Sequence, residues 1–454
     1  MIHERYAHPH FDLVPLGSLT KIVQYGTSER CTSEPTGVPV LRIPNLQADG
    51  WDLSDLKYLP LTPEELSTYR LEKGDILFNR TNGSRELVGK CEVFDFDGDW
   101  VFASYLIRLR IDNARAFPEF VTAFLNTFWG RRQVEHVSRQ ILMSNINTEE
   151  IRALRIPLPK PPKQRELLAR LADARAARRQ KLQQADHMLT SLDGFVLGAI
   201  GLTLPPADDR MVYAARLSDA RQRLDANYHT PRFRELQRRL QHLHAVPLST
   251  LRRFSTERVD PRTGIGATFR YIEISSVSSE TGEASAVDTR RLEAPSRARM
   301  VVHAGNILLS LTRPQRGSIA LIDDSLDGCI ASTGFAVLTD METDQVKTSY
   351  TSYLWAFLRT EAARLQMLQR SSGGNYPAIT EDELRCLLVP VPHGNIQERV
   401  AAEVAHRRDA ARELRGEAIR LWDDAKRRFE EELLGPDRNE QEPKTNQTRR
   451  RGRR

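Results

Sequence analysis

Apolar residues recur with the spacing of strands and helices in two separate stretches of the chain, and the predicted elements follow one another in the same order. Each stretch is predicted to hold a short β segment after a Gly turn, a second β-rich segment and then a helix. These lie at 75–78, 104–111 and 120–134 in the first stretch, and at 306–309, 334–340 and 352–368 in the second. The pattern therefore favours a mixed α and β fold that occurs twice.

The amino-acid sequences of the two stretches match at several places, which supports an internal repeat. LEKGDILFNRTNG at Leu71–Gly83 matches VHAGNILLSLTRP at Val302–Pro314, with Gly74 aligned to Gly305. INTEEIRALRIPLP at Ile146–Pro159 matches ITEDELRCLLVPVP at Ile379–Pro392. Self-similarity over this length is typical of duplicated structural units.

A long helix is predicted after each proline-rich exit, over about 163–200 and 395–434. Apolar residues follow a three-then-four spacing that keeps its phase between the two helices, which favours coiled-coil packing. The predicted interface residues are Leu168, Leu171, Leu182, Ala185, Leu189, Leu192, Val404, Ala411, Ala418, Trp422, Ala425 and Phe429. Arg175 and Arg178 also fall in this seam and argue against a wholly dry interface. The alternative is that both are surface helices of one large fold.

Charge and cysteine content add little to this picture. The formal net charge is +6, but 436–454 carries seven Lys/Arg and three acidic residues, so a surplus of only two belongs to the rest. A nearly neutral body binds nucleic acid only if its charges are segregated. Four scattered cysteines, no apolar run of 18 residues and no secretory signal at the start predict a cytoplasmic protein with no membrane span.

Motifs for catalysis, metal binding or cofactor binding are missing from the sequence. There is no Asn/Asp-Pro-Pro-Tyr/Phe string of an amino-methyltransferase. The segment Gly83–Cys91 departs from a phosphate-binding loop, with five residues between its glycines and a cysteine at the magnesium position. Pro436-Asp437 and Glu442–Lys444 only faintly resemble a nuclease motif, in a segment without apolar residues. We therefore predict a non-catalytic chain with no cofactor and no metal site.

Two polar segments in each stretch carry the side chains that proteins use on DNA bases and phosphates. One follows the first β segment and the other precedes the helix of the INTEE or ITEDE string. The candidates in the first stretch are Asn79, Arg80, Thr81, Asn82, Ser84, Arg85, Ser138, Arg139, Gln140, Ser144 and Asn145. The candidates in the second stretch are Thr312, Arg313, Gln315, Arg316, Ser318, Arg370, Ser371, Ser372, Gly373, Gly374, Asn375 and Tyr376. An ordinary polar turn remains the alternative for each residue.

The KGDILFNR and AGNILLSL strings, with the exits PLPKPPKQRE and PVPHGNIQER, resemble those of Type I restriction–modification specificity subunits. The resemblance implies an α+β fold in which two pseudo-repeated α/β target-recognition domains are separated by two long helices that form an antiparallel coiled coil. It implies the following divisions: target-recognition domains at 1–160 and 225–393, helices at 161–200 and 394–435, a linker at 201–224 and a basic disordered tail at 436–454.

The same resemblance implies a function. The chain would recognise a bipartite, asymmetric site on double-stranded DNA and would scaffold adenine-methyltransferase modification subunits. It leaves ATP-dependent restriction subunits open as further partners, and S-adenosylmethionine and ATP would bind those partner subunits. Two alternatives stay open: a coiled-coil interaction scaffold, and a stand-alone DNA-binding protein with no role in restriction and modification.

Overall fold

The fold is taken from a computed structural model that describes residues 10–47, 50–82, 88–137, 139–140, 144–207, 212–214, 223–341, 348–374 and 376–435. The chain divides into two compact units. Unit 1 comprises Met1–Gln180 and Glu417–Arg454, and unit 2 comprises Lys181–Gly416. None of the helices within the described ranges is long and apolar enough to cross a membrane.

Eleven helices are numbered α1–α11 within the described residues. They are Pro63–Tyr69, Pro118–Leu125, Phe128–Val137, Thr148–Ala153, Pro161–Thr190, Leu192–Ala199, Pro231–His242, Thr348–Leu358, Glu361–Arg370, Glu381–Arg385 and Gly394–Leu434. The two longest helices, α5 and α11, each contribute one part to unit 1 and another to unit 2.

The strands of the same residues are numbered β1–β24. Those of unit 1 are Leu13–Pro15, Thr20–Tyr25, Val38–Leu41, Leu46–Gln47, Gly50–Trp51, Lys57–Leu59, Ile76–Asn79, Thr81–Asn82, Cys91–Val93, Val101–Phe102, Leu106–Ile111, Arg139–Gln140, Ser144–Asn145 and Arg155–Pro157. Those of unit 2 are Val246–Pro247, Arg253–Phe254, Thr268–Ile272, Val287–Arg290, Ala298–Val301, Ile307–Ser310, Ile319–Leu321, Ile330–Ser332, Phe335–Thr339 and Leu388–Val389.

Each unit contains a four-stranded antiparallel sheet with the same connections. The order is β2-β11-β7-β9 in unit 1 and β16-β23-β20-β21 in unit 2. All four residues of β7 and all four of β20 are buried. A second sheet in each unit contains one parallel pair, β3 with β10 and β17 with β22. The mixed α and β class predicted from the sequence is therefore present in both units.

The Gly turn before each buried strand is built in the same way. Gly74 and Gly305 adopt positive φ angles of 91° and 84°, a conformation that favours glycine. The next side chain accepts a backbone hydrogen bond from three residues back: Asp75 Oδ2 from the Glu72 amide at 2.9 Å, and Asn306 Oδ1 from the His303 amide at 2.9 Å. The turn therefore sets the direction in which β7 and β20 enter their sheets.

Parts of the two long helices pack against each other within each unit, and they run antiparallel. In unit 1, Lys163 near the start of α5 bonds Glu432 near the end of α11 at 2.9 Å. In unit 2, Ser191 just after α5 accepts from Arg407 at 2.9 Å, and Ala185, Leu189 and Ala411 form one apolar cluster. The start of α5 therefore contacts the end of α11 in unit 1. The end of α5 and the residue after it contact an earlier part of α11 in unit 2.

The predicted interface residues on these helices are partly or fully buried. Leu171, Ala185, Leu189, Val404, Ala411, Ala418 and Phe429 are buried, and Leu168, Leu182, Leu192, Trp422 and Ala425 are half-buried. Arg175 lies with its guanidinium carbon 5.5 Å from the centre of the Trp422 ring. A cation–π contact thus accommodates one of the arginines that interrupt the apolar seam.

A carboxyl side chain caps one globular helix in each unit: Glu430 of α11 caps α3 in unit 1, and Asp193 of α6 caps α9 in unit 2. The Trp129 amide of α3 donates to Glu430 Oε1 at 2.6 Å, and the Glu361 amide of α9 donates to Asp193 Oδ1 at 2.5 Å. A carboxyl oxygen is a favourable acceptor at a helix N-terminus because the first amides lack partners within the helix. These hydrogen bonds therefore join α3 to α11 within unit 1 and α9 to α6 within unit 2.

Glu430 should make the stability of unit 1 depend on pH. Glu430 is 7% exposed, and burial raises its pKa. Its stabilising contribution is therefore complete below the ordinary glutamate pKa and is lost as the pH rises through the raised folded-state pKa. We expect Glu430→Gln, which keeps an acceptor for the Trp129 amide, to remove this dependence in urea unfolding curves measured from pH 4 to 8.

The control variant is Glu430→Ala, which removes the acceptor at every pH. Leaving the buried Trp129 amide without Glu430 should cost about 1–3 kcal/mol of unfolding free energy. If Glu430→Gln retained the pH dependence of the unaltered protein, another group would have to be its source.

Candidate nucleic-acid interface

The two polar segments predicted in the first stretch meet in one small sheet of unit 1. Strand β13 pairs with β8 through Ser144–Asn82 and Asn145–Thr81, and on its other side with β12. The Ile146 amide also donates to the Arg80 carbonyl at 3.0 Å. The segment that follows the buried strand β7 is thus held directly against the segment that precedes α4.

Arg80 is the best positioned of the unit 1 candidates. Its guanidinium carbon lies 4.8 Å from the centre of the Tyr25 ring, and its Nε donates to Asn145 Oδ1 at 3.3 Å. Arg80 is half-buried, whereas Tyr25 is exposed. The ring and the amide therefore orient a cation at the surface, which reduces the conformational entropy it would lose on contacting an anion or a base.

Unit 2 brings its two predicted segments together in the same manner. Thr312 forms an antiparallel bridge with Ala378, and the Arg313 amide donates to the Pro377 carbonyl at 2.7 Å. Ala378 also forms a bridge with Ser372, so the second segment folds back on itself. The turn after β20 and the loop before α10 are consequently one continuous surface.

Arg313 is the arginine of the corresponding turn in unit 2, two residues after Leu311, which makes the backbone hydrogen bonds that Arg80 makes in unit 1. Its guanidinium carbon lies 4.3 Å from the centre of the Tyr376 ring, and that ring is 74% exposed. Its backbone is left-handed, with φ 48° and ψ 52°. This conformation is uncommon for a residue other than glycine, asparagine or aspartate, and such residues cluster at functional sites.

Other candidates fulfil structural roles or border the two arginines. Asn79 is 2% exposed and its Oδ1 accepts from the Thr81 amide at 3.3 Å, so it shapes the turn. Arg370 bonds Glu383 at 2.9 Å, and Ser371 Oγ donates to the Met367 carbonyl at 2.7 Å. Exposed candidates are Asn145, Thr312, Arg316, Ser372, Gly373 and Gly374, and half-buried ones are Gln315 and Ser318. Ser84, Arg85, Ser138 and Asn375 lie outside the described residues, as do the side chains of Asn82, Arg139, Gln140 and Ser144.

A cleft beside Arg80 contains residues that the sequence did not single out. Its volume is about 730 Å³, and its lining includes Arg42, Lys57, Ser104 and Tyr105. Arg42 and Lys57 both pair with Asp55, at 3.0 and 3.2 Å. Tyr105 is 58% exposed and is an aromatic surface next to Arg80. Its place beside Arg80 is a tertiary contact that the sequence around Tyr105 does not reveal.

Across the residues that the structure describes, His, Cys, Asp and Glu form no group of three or more that could hold a metal ion. Burial raises the pKa of the Cys91 thiol well above its usual value, which keeps it protonated and unreactive.

Comparisons with known proteins find similarity to a Type I restriction–modification specificity domain and to specificity subunits. The family model for the Type I restriction modification DNA specificity domain matches residues 11–184. The EcoKI specificity subunit of Escherichia coli (strain K12), a Type I restriction enzyme subunit, is 28% identical over 167 residues, or 36% of each chain. The StySPI specificity subunit of Salmonella potsdam is 27% identical over 180 residues, or 39% of each chain. In both cases this chain spans little more than a third of the relative's own length.

A solved structure agrees over a longer stretch. It comes from work titled as the structural basis of complex assembly and conformational transition of the type I R-M system. The match covers 94% of this chain and 97% of that chain, with a TM-score of 0.50 and 16% identity, so it bears on the fold alone. Residues 11–184, less than half of the chain, are therefore similar to the Type I restriction modification DNA specificity domain.

Proposed function

We propose that this chain is the DNA-sequence specificity subunit of a Type I-like restriction–modification complex and that it recognises a bipartite site on double-stranded DNA. The observation that carries the proposal is that, in each unit, an arginine on the candidate surface lies over an exposed tyrosine ring: Arg80 over Tyr25 and Arg313 over Tyr376. Each arginine follows the buried strand of its unit's four-stranded sheet.

The chemistry of these residues suits base recognition. An arginine can donate two hydrogen bonds to O6 and N7 of guanine in the major groove, the commonest specific contact in protein–DNA complexes. The neighbouring exposed hydroxyl and amide groups of Thr312 and Asn145 suit phosphates or adenine. Two such surfaces with different neighbours would read two different half-sites.

The remaining parts of the proposal concern assembly. The two units would be copies of one target-recognition domain, and α5 and α11 would form an antiparallel coiled coil. The chain itself would be non-catalytic and cytoplasmic. Adenine-methyltransferase modification subunits, which would bind S-adenosylmethionine, and ATP-dependent restriction subunits would supply the reactions. Relatives named as specificity subunits of Type I restriction enzymes support this assignment.

Exchange of one unit's globular part tests the proposal. Replacing residues up to Pro159 by the matching part of a relative should change one half of the methylated motif and leave the other half intact. The measurement is the host methylome, compared with that of a strain lacking the gene and of one carrying the unaltered chain. The reciprocal exchange of 225–393 should change the other half. A motif in which both halves changed together would contradict two independent readers.

A further inference from the structure

Two aliphatic side chains project almost fully into solvent from one end of a hairpin in unit 2. Ile265 is 98% exposed and Leu292 is 93% exposed. Both lie just beyond the pair Thr268–Arg290, at the end of β17 and β18 opposite their connecting segment. This open end is called the tip. The Arg291 amide donates to the Ala267 carbonyl at 3.0 Å and ties the two sides of this tip together.

The tip is held in a defined shape by its arginines. Arg291 Nη1 donates to the Pro261 carbonyl at 2.6 Å, and its Nε donates to the Ile265 carbonyl at 3.1 Å. Arg262 Nη2 donates to the Ala294 carbonyl at 3.1 Å. A loop fixed from both sides by guanidinium groups has little freedom to hide Ile265, so the exposed side chain is part of the folded surface.

The surroundings of the tip are basic, which indicates a polyanionic partner. Residues 258–268 and 287–299 contain six arginines and three carboxylates, a formal surplus of three positive charges. Two of the carboxylates pair with arginines, Asp260 with Arg299 at 3.2 Å and Glu293 with Arg290 at 3.4 Å. A duplex offers phosphates for the remaining cations and apolar base surfaces for the two aliphatic groups.

The chain between the tip and the turn that bears Arg313 can be followed through β17. The β17 strand runs from the tip toward the turn that bears Arg313, since its last residue, Ile272, pairs with Ala331, and the Leu311 amide donates to the carbonyl of nearby Gly334. The extended chain from Ile265 to Ile272 spans at most about 23 Å at 3.3 Å per residue. Half a helical turn of DNA is about 17 Å. If a duplex that presents its major groove to Arg313 runs along this path, the groove that it presents toward the tip is the adjacent minor groove.

We infer that Ile265 and Leu292 form an apolar wedge that enters the minor groove beside the major groove contacted by Arg313. The inference rests on the proposed DNA-binding function. Apolar residues inserted from the minor groove partly unstack a base step, and the flanking arginines would bind the adjacent phosphates. The wedge would make unit 2 sensitive to how easily the duplex deforms at a position outside direct base contacts.

Site-specific photo-crosslinking tests what covers the tip. The photoreactive residue p-benzoylphenylalanine replaces Ile265 in the full chain, which is irradiated with its partner subunits and a duplex bearing its methylation motif. The same substitution at Tyr376 reports DNA binding itself, and that at Ile419, 57% exposed on α11, is the control for random capture. We expect DNA adducts at Ile265 and Tyr376 and none at Ile419.

The other outcomes separate the two levels of the proposal. Adducts at Tyr376 without any at Ile265 would overturn the wedge and leave the DNA-reading function in place. No DNA adduct at either position would contradict the function and the wedge together. A protein adduct at Ile265 would make the tip a docking site for a partner subunit and would also overturn the wedge.

Serine substitution gives the second measurement. The Ile265→Ser/Leu292→Ser double variant should lose about tenfold in affinity for the same duplex, and 2-aminopurine placed through the unit 2 half-site should lose its fluorescence increase on binding. Leu53→Ser, which changes a solvent-facing leucine of unit 1, should alter neither quantity. An unchanged affinity and an unchanged fluorescence increase in the double variant would overturn the wedge.

Discussion

Asp75→Ala should lower the free energy of unfolding of unit 1 by about 3–5 kcal/mol, the usual loss when one partner of a buried ion pair is removed. Asp75 is 1% exposed, and Arg110 donates to both of its carboxylate oxygens, at 2.7 and 2.8 Å. Arg108, 5% exposed, lies 3.9 Å from the same carboxylate. Burial already lowers the pKa of Arg108, so loss of the nearby negative charge would leave it poorly compensated.

Urea denaturation followed by tryptophan fluorescence measures this effect, because Trp51, Trp100, Trp129 and Trp422 all belong to unit 1. Asn306 is a matched control, because it makes the same turn in unit 2 with a neutral side chain. Asn306→Ala should cost only the turn's hydrogen bond, about 0.5–1.5 kcal/mol. Equal losses for Asp75→Ala and Asn306→Ala would mean that the ion pair adds nothing to stability.

This turn also illustrates what the sequence can predict about the fold. Gly74 and Gly305 supply the left-handed backbone, and the short polar side chain that follows accepts a local amide, so both signals lie within a few residues. The buried strands after the turns are likewise local apolar runs. The parallel pairing of β3 with β10, by contrast, joins short strands that are far apart in the chain, and no local pattern specifies it.

In the long helices, too, the local features could be predicted from the sequence and the long-range contacts could not. Their apolar spacing is visible in the sequence, and the residues it selects are buried or half-buried in the two units. The cap that Glu430 provides for α3 was not predicted, because its partner, Trp129, lies 301 residues earlier in the chain. Nor did the heptad phase indicate that Arg175 would lie over Trp422, since a phase assigns positions to a seam without giving side-chain partners.

For the candidate interface, the sequence identified the polar segments but not the contacts between them. The polar residues after β7 and β20 and those before α4 and α10 were selected as separate groups, and their pairing within each unit is a tertiary contact. Tyr376 was selected because it lies inside a polar loop. Tyr25 was missed because it ends the strand β2, where an exposed aromatic residue is unremarkable until Arg80 is found above it.

Arg313→Ala should relax recognition at one base pair of one half-site and weaken binding to the unaltered motif by about 1–3 kcal/mol, roughly 5- to 150-fold. Arg80→Ala should do the same in the other half-site. The reason is that each guanidinium is already oriented by a tyrosine ring and can donate two parallel hydrogen bonds to guanine, which alanine cannot replace. Methylome sequencing measures the motif, and competition binding to duplexes altered at single positions measures the loss.

Two further substitutions distinguish base recognition from general attraction to phosphate. Arg313→Lys keeps the charge but loses the planar pair of donors, so specificity at that base should fall while the salt dependence of binding stays nearly unchanged. Tyr376→Phe keeps the ring under Arg313 and should preserve the motif, whereas Tyr376→Ala should loosen it. If Arg313→Ala instead weakened binding to every duplex equally and reduced the salt dependence, Arg313 would be a phosphate contact, and the base-reading residues of unit 2 would have to lie elsewhere on the surface formed by the two paired segments.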